Sequence, residues 1–234
     1  MKLTSKTAII ALALGAMAFS AEALRPDWIN YEKYAESNKE IKALPADKNR
    51  VVFFGNSITE LWPMRSAAFF TDNGFIGRGI SGQTTYQFLS RFREDVVELH
   101  PALVVINAAT NDVAENSHKY DAGKTMGNIK SMVEIAKANN IKVILTSTLP
   151  CSSFGWNTEI TDAPEKIADL NERIKAYAKE QKVPYVDYYS SMLADDGRSL
   201  RPEYTNDGVH PVAEGYAVME SLILPAIKKV LKKK

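Results

Sequence analysis

Val51-Val52-Phe53-Phe54-Gly55-Asn56-Ser57-Ile58-Thr59 is the stretch from which the rest of the chain can be read. Its first four residues are apolar, two β-branched and two aromatic, and such a run predicts a strand buried on both faces. Gly55-Asn56 then supplies a sharp turn, and Thr59-Glu60-Leu61-Trp62 opens a helical turn. A serine between a strand and a helix exposes its hydroxyl at the carboxyl edge of a sheet. The helix behind it contributes unpaired N–H groups and a partial positive charge, both suited to a developing oxyanion. Ser57 is therefore a candidate nucleophile whose partners must be sought downstream.

Strand and helix patterns alternate from there. Arg50 to Phe54 is the first strand and Phe75 to Ile80 the second, followed by a helical pattern over Thr84 to Leu99 through Phe88, Leu89, Phe92, Val96 and Val97. Ala102 to Ala108 is the third strand, with a helix over about Gly123 to Ala138. Ile141 to Ser147 is the fourth, followed by a loop, Cys151 to Ala163, and a helix over Pro164 to Gln181. Pro184 to Tyr188 is the fifth, and the last helix runs over about Pro211 to Leu231. Five apolar strands separated by helices imply parallel crossovers and an α/β sheet covered on both faces. In such sheets a site lies beyond the carboxyl ends of the strands.

The chain has 234 residues, formal charge +1 and 45% hydrophobic content, most simply one domain with a full core. Near-neutral charge gives no electrostatic case for nucleic acid as a partner. At the N-terminus, Lys2 and Lys6 precede the apolar run Ala8 to Phe19, and Ala21-Glu22-Ala23 fits a small-x-small cleavage pattern. Residues 1–23 are expected to be a cleaved signal peptide and 24–234 the mature domain, exported to a periplasmic or extracellular compartment with no stable membrane anchor. Cys151 is the only cysteine, read as a small buried side chain near a strand end. Trp28, Tyr31 and Tyr34, at helical spacing, predict a helix packing its rings on the body, with a sugar-stacking platform as the alternative.

Four stretches fall at strand ends or helix starts: Gly55 to Thr59, Gly79 to Thr85, Ala108 to Asp112 and Asn206 to Pro211. Gly82 stands where a backbone N–H must approach a ligand closely. Asp207 and His210, three apart, read as a cap with a surface histidine, as half a metal site, or as an acid and base. The metal reading lacks further ligands, since His100 and His118 are the only other histidines, so no metal or cofactor is expected.

Taken together, these stretches resemble the SGNH (GDSL-type) esterases and lipases over about Val51 to Leu224. The resemblance implies a three-layer α/β/α sandwich with a flavodoxin-like five-stranded parallel sheet. It implies Ser57 as nucleophile, His210 as general base and Asp207 as orienting acid, with the Ser57 and Gly82 amides and the Asn111 side chain as the oxyanion hole. Gly-Asp-Ser-Leu of the family is here Gly55-Asn56-Ser57-Ile58, and Gly-x-Asn-Asp is Ala109-Thr110-Asn111-Asp112.

Trp62, Phe154 and Trp156 are candidates for the substrate pocket, with core packing as the alternative. Gln83, Asn107 and His118 are weaker polar candidates, and Arg78 is expected in an exposed salt bridge. The activity implied is hydrolysis of short acyl esters, such as acetate, on a carbohydrate or similar polar small-molecule or polysaccharide substrate. Alternatives are a lysophospholipase or thioesterase, and a non-catalytic carbohydrate-binding protein on the same scaffold. A flavodoxin-like nucleotide binder ranks last, for want of a Gly-rich phosphate loop after the first strand.

Overall fold

The computed structural model describes residues 27–45 and 47–232; the expected signal peptide lies outside them. In chain order the elements are α1 (Ala35–Ala43), β1 (Val51–Gly55), α2 (Ser57–Arg65), α3 (Ala67–Thr71), β2 (Phe75–Gly79) and α4 (Thr85–Asp95). Then come β3 (Leu103–Asn107), α5 (Thr110–Val113), α6 (Ala122–Ala138) and β4 (Lys142–Thr146). The series closes with α7 (Ala163–Glu180), β5 (Tyr185–Val186), α8 (Tyr189–Met192) and α9 (Ala213–Lys232). The strands form one parallel sheet in the order β2-β1-β3-β4-β5.

The unbroken apolar run of β1 is explained by its two neighbours and two covering layers. Successive side chains of a strand point to opposite faces. Val52 and Phe54 join Val104, Ile106, Val143 and Leu145 beneath α4, α6 and α7. Val51 and Phe53 join Leu103, Val105 and Ile144 beneath α2, α3 and α9. On the second face Phe53 meets the rings of Trp62, Phe69 and Phe70 at centroid distances of 5.3, 5.9 and 5.3 Å. Burying each such aromatic contributes roughly 1.5–3 kcal/mol, and β1 supplies side chains to both half-cores.

The chain leaves β1 towards β2 on one side, while β3 pairs on the other, so the crevice beyond the ends of β1 and β3 is the switch point of the sheet. The loops carrying Ser57, Gly82 and Asn111 leave β1, β2 and β3. β5 pairs over two residues, shorter than the expected Pro184 to Tyr188. Just beyond it, Asp187 accepts the Ser190 N–H at 2.9 Å and turns the chain into α8. No helix among the described residues is long and apolar enough to cross a membrane.

The N-terminal aromatics divide. Tyr31–Tyr34 is a 3₁₀ turn, and α1 starts only after it. The Tyr34 hydroxyl donates to the Gly79 carbonyl, and the Arg78 guanidinium lies 4.6 Å from its ring centroid. Tyr31, 37% exposed, still rests on α4 through its hydroxyl, which donates to the Ser90 carbonyl at 3.2 Å, whereas Trp28 is 54% exposed, so the expectation that all three rings pack on the body is corrected at Trp28.

Candidate active site

Ser57 is the first residue of α2, two positions earlier than the sequence pattern places the helix start. Asn56 caps that helix by accepting the Ile58 N–H on Oδ1 at 3.0 Å. A short polar side chain at this position satisfies one of the unpaired donors of the first turn. The Ser57 hydroxyl lies 2.8 Å from His210 Nε2, and His210 Nδ1 lies 2.7 Å from Asp207 Oδ2. The spacing of three works because Asp207 folds back on its own loop. Its Oδ1 accepts the backbone N–H groups of Val209 and His210 at 2.9 and 2.8 Å. Thr205 braces the same loop, taking the Gly208 N–H and giving its hydroxyl hydrogen to the His210 carbonyl. Although partial burial pushes the Asp207 carboxyl up, the hydrogen bonds from the His210 N–H and imidazole and from the Val209 N–H win, holding it down at about 2. A carboxylate at Nδ1 selects the tautomer with its proton there, leaving Nε2 to accept from Ser57.

A cavity of about 410 Å³ opens in front of this pair, lined by Ser57, Leu61, Ser81, Gly82, Asn111, Asn116, Trp156 and His210. Gly82 has φ of 77°, a left-handed conformation that strains any residue with a Cβ. Asn111 gives one Nδ2 hydrogen to the Gln83 carbonyl at 2.9 Å, which fixes the amide and leaves its second hydrogen. Among the described residues neither the Ser57 nor the Gly82 N–H has a hydrogen-bond acceptor. A larger hollow of about 520 Å³ lies at the far end of the sheet, lined by Lys137, Ile141 and Lys182 among others, remote from Ser57.

Residues 53–218 match the family model described as GDSL-like lipase/acylhydrolase. The chain belongs to that family.

Two solved structures are similar over most of their length. One, from Bacteroides fragilis NCTC 9343 and described as an acylhydrolase, is 61% identical, with 88% of this chain and 99% of that one covered and a TM-score of 0.86. The other, a GDSL-like lipase from Bacteroides thetaiotaomicron VPI-5482, is 59% identical, with 86% and 98% covered and a TM-score of 0.84. An N-acylneuraminate cytidylyltransferase of Escherichia coli O18:K1:H7 (strain RS218 / NMEC) is 24% identical over 180 residues, 76% of this chain. The chain spans only 40% of the length of that curated relative.

Around the GDSL-type serine the turn is held by groups that sequence motifs do not reveal. Arg91, on α4, is wholly buried. It donates to Gln83 Oε1 at 2.6 Å, to the Gly55 carbonyl at 2.9 Å, to the Arg78 carbonyl at 3.0 Å and to Asp95 Oδ2 at 2.8 Å. One guanidinium thus ties the end of β1, just before Ser57, to the loop carrying Gly82. Its own charge is offset by Asp95 and by the Phe54 ring, whose centroid lies 4.2 Å away. The sequence did hold a signal: Arg91 and Asp95 interleave with Phe88 and Phe92 on one apolar stripe of α4. Glu60 does similar work from α2, accepting the Ser81 N–H at 2.5 Å and pairing with Lys33. At Gly79 a Cβ would overlap the Glu60 backbone nitrogen, so glycine is required for α2 to approach β2 this closely.

Of the sequence candidates, Ser57, Gly82, Asn111, Trp156 and His210 meet at the cavity, with Asp207 behind His210. Trp62 does not. It is 1% exposed among Phe53, Phe69, Phe70 and Tyr216, its Nε1 donating to Glu220 at 2.9 Å. Phe154 is fully buried behind Trp156 and is likewise not a wall of the cavity. Arg78 is buried rather than exposed, donating to Asn38 and Ser37. Asn107 is also buried, donating to Thr146, and His118 packs its ring 4.2 Å from that of Tyr86. Cys151 is buried, and burial pushes its thiol up to about 11, far from a reactive thiolate. Leu61, Ser81 and Asn116 line the cavity and were not singled out from sequence. At Ala109, where the family motif carries glycine, φ is 87°, so this chain sustains a left-handed residue two positions before Asn111.

Proposed function

We propose that this chain is an exported serine esterase that removes short acyl groups, acetyl foremost, from a carbohydrate or similar polar ester through an acyl-Ser57 intermediate. The observation that carries the reading is the 2.8 Å separation of Ser57 Oγ and His210 Nε2 at the mouth of a cavity, with Asp207 on the far ring nitrogen. Serine at its free pKa is a weak nucleophile, so His210 takes its proton as Oγ attacks the ester carbonyl. Asp207 fixes the ring and stabilises the imidazolium. The negative charge on the carbonyl oxygen is met by the Ser57 and Gly82 amides and the remaining Asn111 hydrogen. The tetrahedral intermediate collapses, breaking the carbon–oxygen bond to the alcohol, which leaves with the proton from His210. Water then gives a proton to His210 and its oxygen to the acyl carbon, and the acid departs as Ser57 recovers its hydrogen.

The cavity supports a short acyl group. Most of the surface lining it is apolar, and Leu61, on α2 four residues after Ser57, stands to receive the alkyl part of an acyl group.

Hydrolysis of p-nitrophenyl esters of rising chain length by wild type and Ser57→Ala tests the reading. Expected are a preference for acetate, at least ~10³-fold loss in Ser57→Ala with an unchanged circular dichroism spectrum, and a covalent adduct on Ser57 from an organophosphonate. A Ser57→Ala protein with near wild-type turnover overturns it. Export is tested by the mass of the secreted chain, which should begin at Leu24.

A further inference from the structure

If His210 passes a proton to the departing alkoxide, the alcohol half of the ester leaves along the His210 side of the cavity. This inference therefore rests on the esterase reading above. The side chain standing there is Trp156, its ring centroid 6.4 Å from that of His210 with the planes inclined by 35°. Trp156 is 50% exposed, which leaves a large apolar face in water at the rim of the cavity.

That face is held rather than loose. The indole Nε1 donates to Asn116 Oδ1 at 2.8 Å, and Asn116 Nδ2 donates to the Gly82 carbonyl at 3.2 Å. Beneath the ring, buried Phe154 packs at a centroid distance of 5.3 Å. The indole is thus fixed to the loop that carries Gly82, with its orientation set before any ligand arrives. Beyond it the surface continues into a second hollow of about 360 Å³, lined by Gly82, Ala114, Glu115, Asn116, Trp156 and Asn157. Trp156 and Asn116 border both hollows.

A flat apolar ring flanked by amides and a carboxylate matches a pyranose, whose C–H face is apolar and whose edge carries hydroxyls. Asn116 is held by Trp156 and Gly82, Asn157 by the Ala114 carbonyl and Glu115 by Lys119 and Lys166, so the second hollow is a fixed polar surface whose remaining lone pairs suit sugar hydroxyls better than an alkyl chain. We infer that Trp156 and Asn116 form an alcohol-side subsite that stacks the sugar ring bearing the scissile ester, the second hollow taking the next sugar of a chain.

The test compares p-nitrophenyl acetate, whose alcohol is not a sugar, with acetylated cello-oligosaccharide. For Trp156→Ala, kcat/KM on the oligosaccharide is expected to fall at least tenfold further than on p-nitrophenyl acetate, chiefly through KM, and Trp156→Phe to recover most of it. In a Ser57→Ala background, calorimetric titration with the same oligosaccharide should show binding that Trp156→Ala weakens at least tenfold. Equal losses on both substrates, or unchanged oligosaccharide binding, overturn the subsite. So does a wild-type preference for lysophospholipid over the oligosaccharide. Failure of the esterase reading shows separately, as p-nitrophenyl acetate hydrolysis that survives Ser57→Ala.

Discussion

Ser57 Oγ and His210 Nε2 are 2.8 Å apart although 153 residues of chain separate them. Ser57 is placed by the carboxyl end of the interior strand β1, and His210 by a loop that leads into α9, the helix packed on the same half-core as α2. The Tyr216 hydroxyl ties the two helices directly, donating to the Ile58 carbonyl at 2.7 Å. The pair is therefore set by rigid elements rather than by loop ends alone, which is the arrangement a proton transfer needs.

Asp207 is expected to act on both rate and stability. Asp207→Ala should lower kcat by roughly 10²–10⁴-fold, and a loss matching that of His210→Ala would establish dependence on the carboxylate. With the folded carboxyl held at about 2, below the unfolded value of about 3.9, protons bind the unfolded chain first as pH falls. Its contribution to stability is then complete above roughly pH 5 and lost as pH drops through about 2. The gap in melting temperature between wild type and Asp207→Ala should accordingly be wider at pH 6 than at pH 2.5. A gap that widens on acidification would contradict the assignment.

Asn111 tests the proposed oxyanion donors. Because the Gln83 carbonyl already holds one of its hydrogens, Asn111→Ala removes a fixed donor and leaves that carbonyl buried without a partner. A fall in kcat of about 10²–10³-fold with KM changed far less is expected from steady-state kinetics. A change confined to KM would assign Asn111 to ground-state binding instead.

Arg91 is a stability and positioning residue in one. Replacing it with Met leaves Asp95 as a buried carboxylate without its cation and takes from the Gly55 carbonyl one of its two donors, the Ile80 N–H remaining, an expected loss of about 3–5 kcal/mol in urea unfolding. Arg91→Met with Asp95→Leu removes both charges and should recover stability. If the Gly55 and Gln83 contacts position the nucleophile turn, kcat stays low in that double variant while the melting temperature returns. Recovery of both would leave Arg91 with a structural role alone.

Trp62 and Leu61 separate core from cavity on a single helix. Trp62→Ala is expected to cost about 3–5 kcal/mol by emptying an aromatic cluster. Leu61→Ala, at a partly exposed position on the cavity wall, should cost under about 1.5 kcal/mol yet change the ranking of p-nitrophenyl esters by acyl length. Unfolding curves beside chain-length profiles read the two effects independently.

That contrast shows where sequence reading stops. Successive residues of a helix are turned by about 100°, so Leu61, four after Ser57, returns to nearly the same face, while Trp62 is carried about 140° away. That phase relation holds only because α2 begins at Ser57 rather than at Thr59, where the sequence pattern starts the helix. Trp156 has no such periodicity, because the loop after β4 carries no repeating pattern. Arg78 and Asn38 are buried because α1 docks over the end of β2. Nothing local in either segment announces that contact.

What this sequence determined alone was whatever depends on neighbours along the chain. The apolar run of β1 required a strand covered on both sides, Asn56 and Ser57 required a helix start after it, and Asp207 three before His210 could fold back onto its own loop. Strand order, the meeting of the loops after β1, β2 and β3 with the one before α9, and the burial of Arg91 beneath the Ser57 turn were decided only by tertiary structure. These are contacts between segments whose local patterns fit other packings equally well, and only simultaneous burial of both faces of the sheet selects among them.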